Sequence, residues 1–330
     1  MIYLNPKKEL EKLFALMPER KKEQREKDVL FSRLGINNNG KESLQSIGNK
    51  YHITRERIRQ IQNQGIKNLR KASQDNPEIF NFINQKIKNL GGILSLPTAN
   101  ELFLNPKNQE KEDQKYLHLL LIANPKTKYY KNTSKTAAYF THKVKKSKVN
   151  DLYKKIEKYF KNKKQGENIK ELAKILKIDQ KTIKEVSLIF NKLGLKDEKI
   201  GFSKFKDINP KTAESKIDYI FEKYKKPLHF SQIADLIKKE DLSKKNPTTP
   251  TIHNELIKHT DKYILIGRGT YGLAKWGYKP GTVKELAQDI IKNSIKKLSR
   301  DELIKEILKQ RQVKRNTIIL NLSALKKELK

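Results

Sequence analysis

The sequence predicts a mainly α-helical protein built from tandem helix-turn-helix and winged-helix units with short β wings. Three observations lead there. Apolar residues recur at helical spacing along most of the chain. β-prone runs are confined to stretches near 127–141, 199–205 and 262–273, each directly after a helical segment. One helix–turn–helix pattern occurs twice without gaps, at residues 43–58 and 168–183.

Taken in order, Leu10, Leu13, Phe14 and Met17 fall at i, i+3, i+4 and i+7 and predict a first amphipathic helix; Val29, Leu30, Arg33 and Leu34 continue in that style. The repeat follows. A polar cap, Ser43 or Asn168, opens a short helix. A small residue after an apolar one, Gly48 or Ala173, lets two helices approach, and Ile53 or Ile178 plugs the turn. Thr54 or Asp179 caps the second helix, whose Ile58 or Ile183 faces the core. Segment 77–142 shows helices near 77–90 and 113–122 and a tyrosine-rich ribbon. Helices are expected from Phe230 and from Thr251 around a polar loop at 244–250, and a last pair at 299–309 and 315–329. Polar or Pro-containing joints divide the chain into a helix-turn-helix domain at 1–75, a divergent winged helix at 76–148, winged helices at 149–210 and 211–279, and a C-terminal helix-turn-helix at 280–330.

Composition bounds the function. The 330 residues carry 73 lysines and arginines against 37 acidic residues, a net charge of +36. That balance favours a polyanionic partner, nucleic acid first. Only 11 of the cations are arginine; seven of these fall at residues 20–70 and none at 71–267. Where lysine is the default cation, arginine stands out at sites that need a planar, bidentate donor, so the N-terminal unit is the candidate base reader. With no cysteine, disulfide frameworks, thiolate zinc sites and a Cys nucleophile are excluded. The N-terminus does not read as a signal peptide, and the longest apolar run, 117–123, is far too short to span a bilayer. The expected setting is cytoplasmic, with no membrane partner.

The stretch 54–61 has the makings of a recognition helix. Thr54 caps it, and Glu56 suits the positive first turn. Ile58, Ile61, Ile66 and Leu69 form one stripe, and Arg55, Glu56, Arg59 and Gln60 the opposite one. Arg suits guanine, Glu accepts from the cytosine amine, and Gln suits adenine.

The pieces Met17-Pro18-Glu19-Arg20, REKDVL at 25–30, Arg33-Leu34-Gly35-Ile36, SLQSIG at 43–48, ITRERIRQI at 53–61 and Asn68-Leu69-Arg70 together resemble region 4 of bacterial sigma factors, over residues 10–72. In that family this helix enters the major groove of the promoter −35 element. The resemblance implies double-stranded promoter-like DNA as partner, with base contacts from Arg55, Glu56 and Gln60, Arg57 and Arg59 chiefly at phosphates, and Thr54 as the cap. It also implies that residues 10–36 pack on the flap of the RNA polymerase β subunit. No segment resembles the regions that melt the −10 element, so a complete sigma factor is not expected.

Residues 213–277 carry a second resemblance, in Pro227-Leu228-His229-Phe230, Ile233-Ala234 and YILIGRGTYGLAKW at 263–276. They are similar to the HARE-type winged helix of the polymerase δ subunit and of some restriction and chromatin proteins. Gly267–Gly272 spells a dinucleotide fingerprint, but the required helix does not follow it, and a wing turn is expected. The six histidines lack metal-ligand spacing. No catalytic residue, cofactor or metal is expected. The function expected is a non-enzymatic, sequence-specific transcription regulator or RNA polymerase accessory factor holding DNA through several helix-turn-helix units. Alternatives are a general RNA- or nucleoid-binding protein and the DNA-targeting subunit of a restriction-type system.

Overall fold

The computed structural model describes residues 3–17, 21–36, 40–106, 110–242, 246–294 and 298–328. The chain forms two compact units, Met1–Lys204 and Phe205–Lys330.

The first unit opens with four helices, α1 (Pro6–Ala15), α2 (Lys21–Leu34), α3 (Leu44–Tyr51) and α4 (Arg55–Ala72). Asn5 caps α1 by accepting from the Lys8 N–H at 3.0 Å, with Pro6 in the first turn, where its missing N–H has no intrahelical role. Leu10, Leu13 and Met17 are buried as their spacing predicts; Pro18, Glu19 and Arg20 lie outside the described residues. α4 crosses α2 at Gly65, where a methyl group would stand 3.1 Å from Glu26 Cβ and Leu30 Cδ1, so only hydrogen fits comfortably.

Two winged units complete the first compact unit. One runs α5 (Pro77–Lys88), β1 (Ile93–Ser95), α6 (Leu96–Phe103), α7 (Lys111–Ala123), β2 (Thr127–Tyr130) and β3 (Tyr139–His142). The next runs α8 (Lys146–Phe160), β4 (Glu167–Asn168), α9 (Ile169–Leu176), α10 (Gln180–Ile189), β5 (Leu193–Lys196) and β6 (Lys199–Phe202). In the second compact unit the same order returns as α11 (Ala213–Tyr224), β7 (Leu228–His229), α12 (Phe230–Lys239), α13 (Thr249–Lys258), β8 (Tyr263–Gly267) and β9 (Thr270–Leu273). The antiparallel sheets have matching orders, β1-β3-β2, β4-β6-β5 and β7-β9-β8.

The first and third hairpins coincide with β-prone runs, whereas the run at 199–205 covers only β6 and misses β5. The short strands β1, β4 and β7 were not legible, because two or three residues show no alternation. Each ends on the cap of the next helix: Ser95, Asn168 and His229 sit in extended backbone and accept a hydrogen bond from the first turn. Helix α6 also went unforeseen; it is a single eight-residue segment with a proline in its first turn.

Buried side chains join the four-helix segment to the first winged unit. Leu10, Leu13 and Leu30 share one cluster with Phe103, Leu117, Leu120 and Phe140, and the Leu4 N–H donates to the Phe103 carbonyl at 2.8 Å. In the second unit the winged segment has its own core around Phe221, Ile233, Ile252 and Tyr263. After it come α14 (Val283–Asn293), α15 (Arg300–Gln310) and α16 (Arg315–Glu328), packed around Leu286, Ile304, Ile307 and Ile318. Gln312 forms a parallel bridge to Gly267, its N–H donating to the Ile266 carbonyl at 2.6 Å, so the chain after α15 extends the third sheet. Leu329 lies outside the described residues.

Candidate nucleic-acid interface

The site is built from the turn between α3 and α4. Ser43 Oγ accepts from the Ser46 N–H at 3.0 Å, starting α3. His52 ends it in the left-handed region, φ 54° and ψ 39°, and the Ile53 N–H returns to the Gly48 carbonyl at 3.0 Å. A methyl group at Gly48 would stand 2.7 Å from the Ile53 carbonyl oxygen. The small residue therefore serves the turn's own backbone first, and the start of α4 also comes close, with Arg55 N 3.5 Å from the same point. Thr54 then caps α4, its hydroxyl accepting from the Arg57 N–H at 3.2 Å.

Along α4, Ile58, Ile61, Gly65, Leu69 and Ala72 are buried. Directly opposite lie exposed Glu56, Arg59, Gln60, Asn63 and Lys67, at helical steps of three, four, seven and eleven, with Arg55 and Arg57 exposed on the flanks. The side chains pair along the helix. Arg59 donates from Nε to Glu56 Oε2 at 2.8 Å and from Nη2 to Oε1 at 2.6 Å, while Arg57 Nη1 donates to Gln60 Oε1 at 3.0 Å. The hydrogen bond from Arg59 holds the Glu56 carboxyl below its ordinary range. Asn63 and Lys67 were missed in the sequence reading, which stopped at Ile61; their signal is the continuation of the same helical face by two turns.

The second copy of the motif reproduces the turn. Lys177 is left-handed at φ 53° and ψ 46°, the Ile178 N–H returns to the Ala173 carbonyl at 3.2 Å, and Asp179 caps α10 through the Thr182 N–H at 3.1 Å. Its surroundings differ. Only Gln180 and Lys181 of α10 are exposed, with Lys184 and Leu188 half-buried. The Glu185 carboxylate, with none of its surface exposed, accepts the Ser95 N–H at 2.6 Å and the Thr98 hydroxyl. The Ala137 N–H donates to the Ile189 carbonyl at 2.8 Å and the Asn191 N–H to the Lys135 carbonyl at 3.1 Å. So α10 is wedged against the first winged unit and leaves only Gln180 and Lys181, in its first turn, fully open. Helix α7 is equally enclosed, buried from Tyr116 to Ala123 except at half-buried His118. In the first compact unit, α4 alone among these three second helices keeps an open polar face beyond its first turn. In the second unit α13 exposes Thr251, Asn254, Ile257 and Lys258.

Arginine placement also needs correcting. Arg33 donates to the Glu42 carbonyl, and Arg70 to the Ile122 and Thr127 carbonyls at 3.0 and 3.4 Å. Arg311 donates to the Lys279 and Gly281 carbonyls at 2.7 and 2.8 Å. The planar donor that suits base edges equally suits pairs of backbone carbonyls; among the described arginines of residues 20–70, Arg25, Arg55, Arg57 and Arg59 are exposed, the last three together at the start of α4.

Gly267–Gly272 forms the β8–β9 hairpin, with Arg268 exposed at its tip and one 3-10 turn, Ala274–Trp276, after it. His229 is a helix cap, its Nδ1 accepting from the Ser231 N–H at 3.3 Å. His118 packs edge-on against Tyr129 and Phe140, and burial there pushes its pKa down to about 4. Among the described residues no helix is long and apolar enough to cross a membrane.

Residues 23–71 match the profile of the family described as Sigma-70, region 4. The match begins inside α2 and ends at the last turn of α4, leaving out α1, which the resemblance read from the sequence had included from Leu10. No curated protein and no solved structure matches the chain. On this match, the segment is similar to sigma-70 region 4, a DNA-binding helix-turn-helix with a role in transcription, and the pair α3–α4 makes up its second half.

Proposed function

We propose that the chain is a non-enzymatic transcription regulator or polymerase accessory factor that reads promoter −35-like DNA through the first two turns of α4. The observation that carries this is the open polar face of α4, in a compact unit where α7 and α10 are packed away. Thr54 sets the start of the helix, Arg55, Glu56 and Gln60 meet base edges, and Arg57 and Arg59 meet phosphates. The polymerase partner engages residues 10–36 through the tip of its β flap. Most apolar side chains there are buried within the chain, and Leu16, 52% exposed, is the one large apolar side chain of that stretch that stands open among the described residues. The winged segment at 213–277 is read as HARE-type, because Pro227 leads into β7 and its cap His229, and the Tyr263–Trp276 stretch makes the wing.

The test is a pair of titrations with the full chain at fixed salt, one on a duplex carrying TTGACA and one on a scrambled duplex of equal length. At least about tenfold tighter binding to the first is expected; equal affinities would sink the reading. Flap contact is tested separately, by co-elution with core polymerase that is lost when the flap tip is deleted.

A further inference from the structure

The wing of the first winged unit and the start of α8 enclose an open concavity of about 630 Å³. Lys126, Lys128, Lys143, Lys145 and Lys146 line it around Tyr130, and no acidic residue does. All five lysines are exposed, and none of them is ion-paired among the described residues, although lysines elsewhere in the same unit pair with Glu42, Glu101, Glu157, Glu167 and Glu171. Tyr130 organises two of them, with Lys128 and Lys146 Nζ at 5.8 and 5.7 Å from its ring centroid, and its ring stacks on Tyr139 at 4.7 Å. Five like charges gathered without a counter-charge repel one another until a polyanion neutralises them. Lysine ammonium groups on flexible stems suit phosphates, which need charge more than fixed geometry.

In the winged units that carry this concavity α7 and α10 are mostly buried, which leaves little of either helix for groove insertion. Backbone contact is the mode left open. We propose that the concavity is a sequence-independent clamp for the phosphodiester backbone of duplex DNA, so that α4 reads bases and the wing of the first winged unit holds the strand. The inference rests on the DNA-binding reading of the chain and is independent of which bases α4 prefers.

The test uses the full chain in which Lys128, Lys143, Lys145 and Lys146 are each changed to Gln. Affinity is measured from about 50 to about 300 mM salt on the TTGACA duplex, the scrambled duplex, and single-stranded DNA and RNA of equal length. The unaltered chain should show a log–log salt slope of roughly −5 or steeper, and the variant a slope about 2–4 shallower, with both duplexes weakened by the same factor of about 10–100. Lys→Arg at the same four positions should restore the slope, separating lost charge from lost folding. Should the quadruple variant unfold, Lys145→Gln and Lys146→Gln alone should each remove about 0.9 of slope. An unchanged slope overturns the proposal, as does a loss confined to single strands or RNA. If the unaltered chain shows no preference for TTGACA while the slope still falls in the variant, the α4 reading fails and the clamp stands.

Discussion

Arg59 holds Glu56 at two points, its Nε–H and Nη2–H donating to the two carboxylate oxygens at 2.8 and 2.6 Å on the outer face of α4. A residue assigned to phosphate and one assigned to a base edge are thus tied together before DNA arrives.

Glu56→Gln removes a negative charge, so electrostatics alone would leave binding to every duplex equal or tighter. If Glu56 accepts from a base amine, the TTGACA duplex should instead weaken about 5- to 150-fold against the scrambled one, with scrambled binding not weakened. Arg59→Ala should weaken both duplexes alike. Equal factors on both duplexes for Glu56→Gln would remove Glu56 from the reading face.

Arg70 lies on the same helix with a different task, bridging α4 to the carbonyls of Ile122 and Thr127. Arg70→Ala should cost about 1–3 kcal/mol of stability in urea unfolding, because it strips donors from the carbonyls of two buried residues. The ratio of affinities for the two duplexes should not move. A changed ratio at unchanged stability would place Arg70 at the DNA.

Gly48→Ala puts a methyl group 2.7 Å from the Ile53 carbonyl oxygen, and the turn must open. A loss of about 1–2 kcal/mol is expected in chemical denaturation. The second copy already carries Ala173 there with a longer turn bond, 3.2 against 3.0 Å, so Ala173→Gly should cost no more than about 1 kcal/mol, from helix propensity. A costless Gly48→Ala would show that the α3–α4 turn relaxes freely.

Glu185 gives a pH signature. Burial pushes its carboxyl above the ordinary value of 4.5, against the hydrogen bonds from Thr98 and Ser95 that pull it down. A carboxyl raised in the folded state favours the protonated form. Its contribution is fully present below pH 4.5 and is lost as pH rises through the raised folded value. The stability difference between the unaltered chain and Glu185→Gln should accordingly shift in favour of Gln as pH rises from about 4 to 8. Glu185→Ala should be worse at every pH, leaving the Ser95 N–H and Thr98 hydroxyl without their acceptor at about 1–3 kcal/mol each. A pH-independent difference for Glu185→Gln would contradict the shift.

By itself the sequence determined what depends on neighbours within a few residues. Ser43 and Asn168, then Thr54 and Asp179, cap helices because a short polar side chain reaches the next turn's N–H. Two copies of that grammar yield turns with a left-handed residue at the same position, His52 or Lys177, and the same returning hydrogen bond. The buried stripe and exposed face of α4 were legible for the same reason, since helical periodicity is local. The tertiary structure alone decided which copy keeps an open second helix. In α10, Glu185 falls where a solvated polar residue would be expected. It is buried because Ser95 and Thr98, some ninety residues earlier, supply the hydrogen bonds that make its burial tolerable. A partner that distant in the chain leaves no trace in the spacing of α10. The lysine concavity is likewise a product of folding, since β2 and β3 bring Lys126 and Lys128 beside Lys143, Lys145 and Lys146.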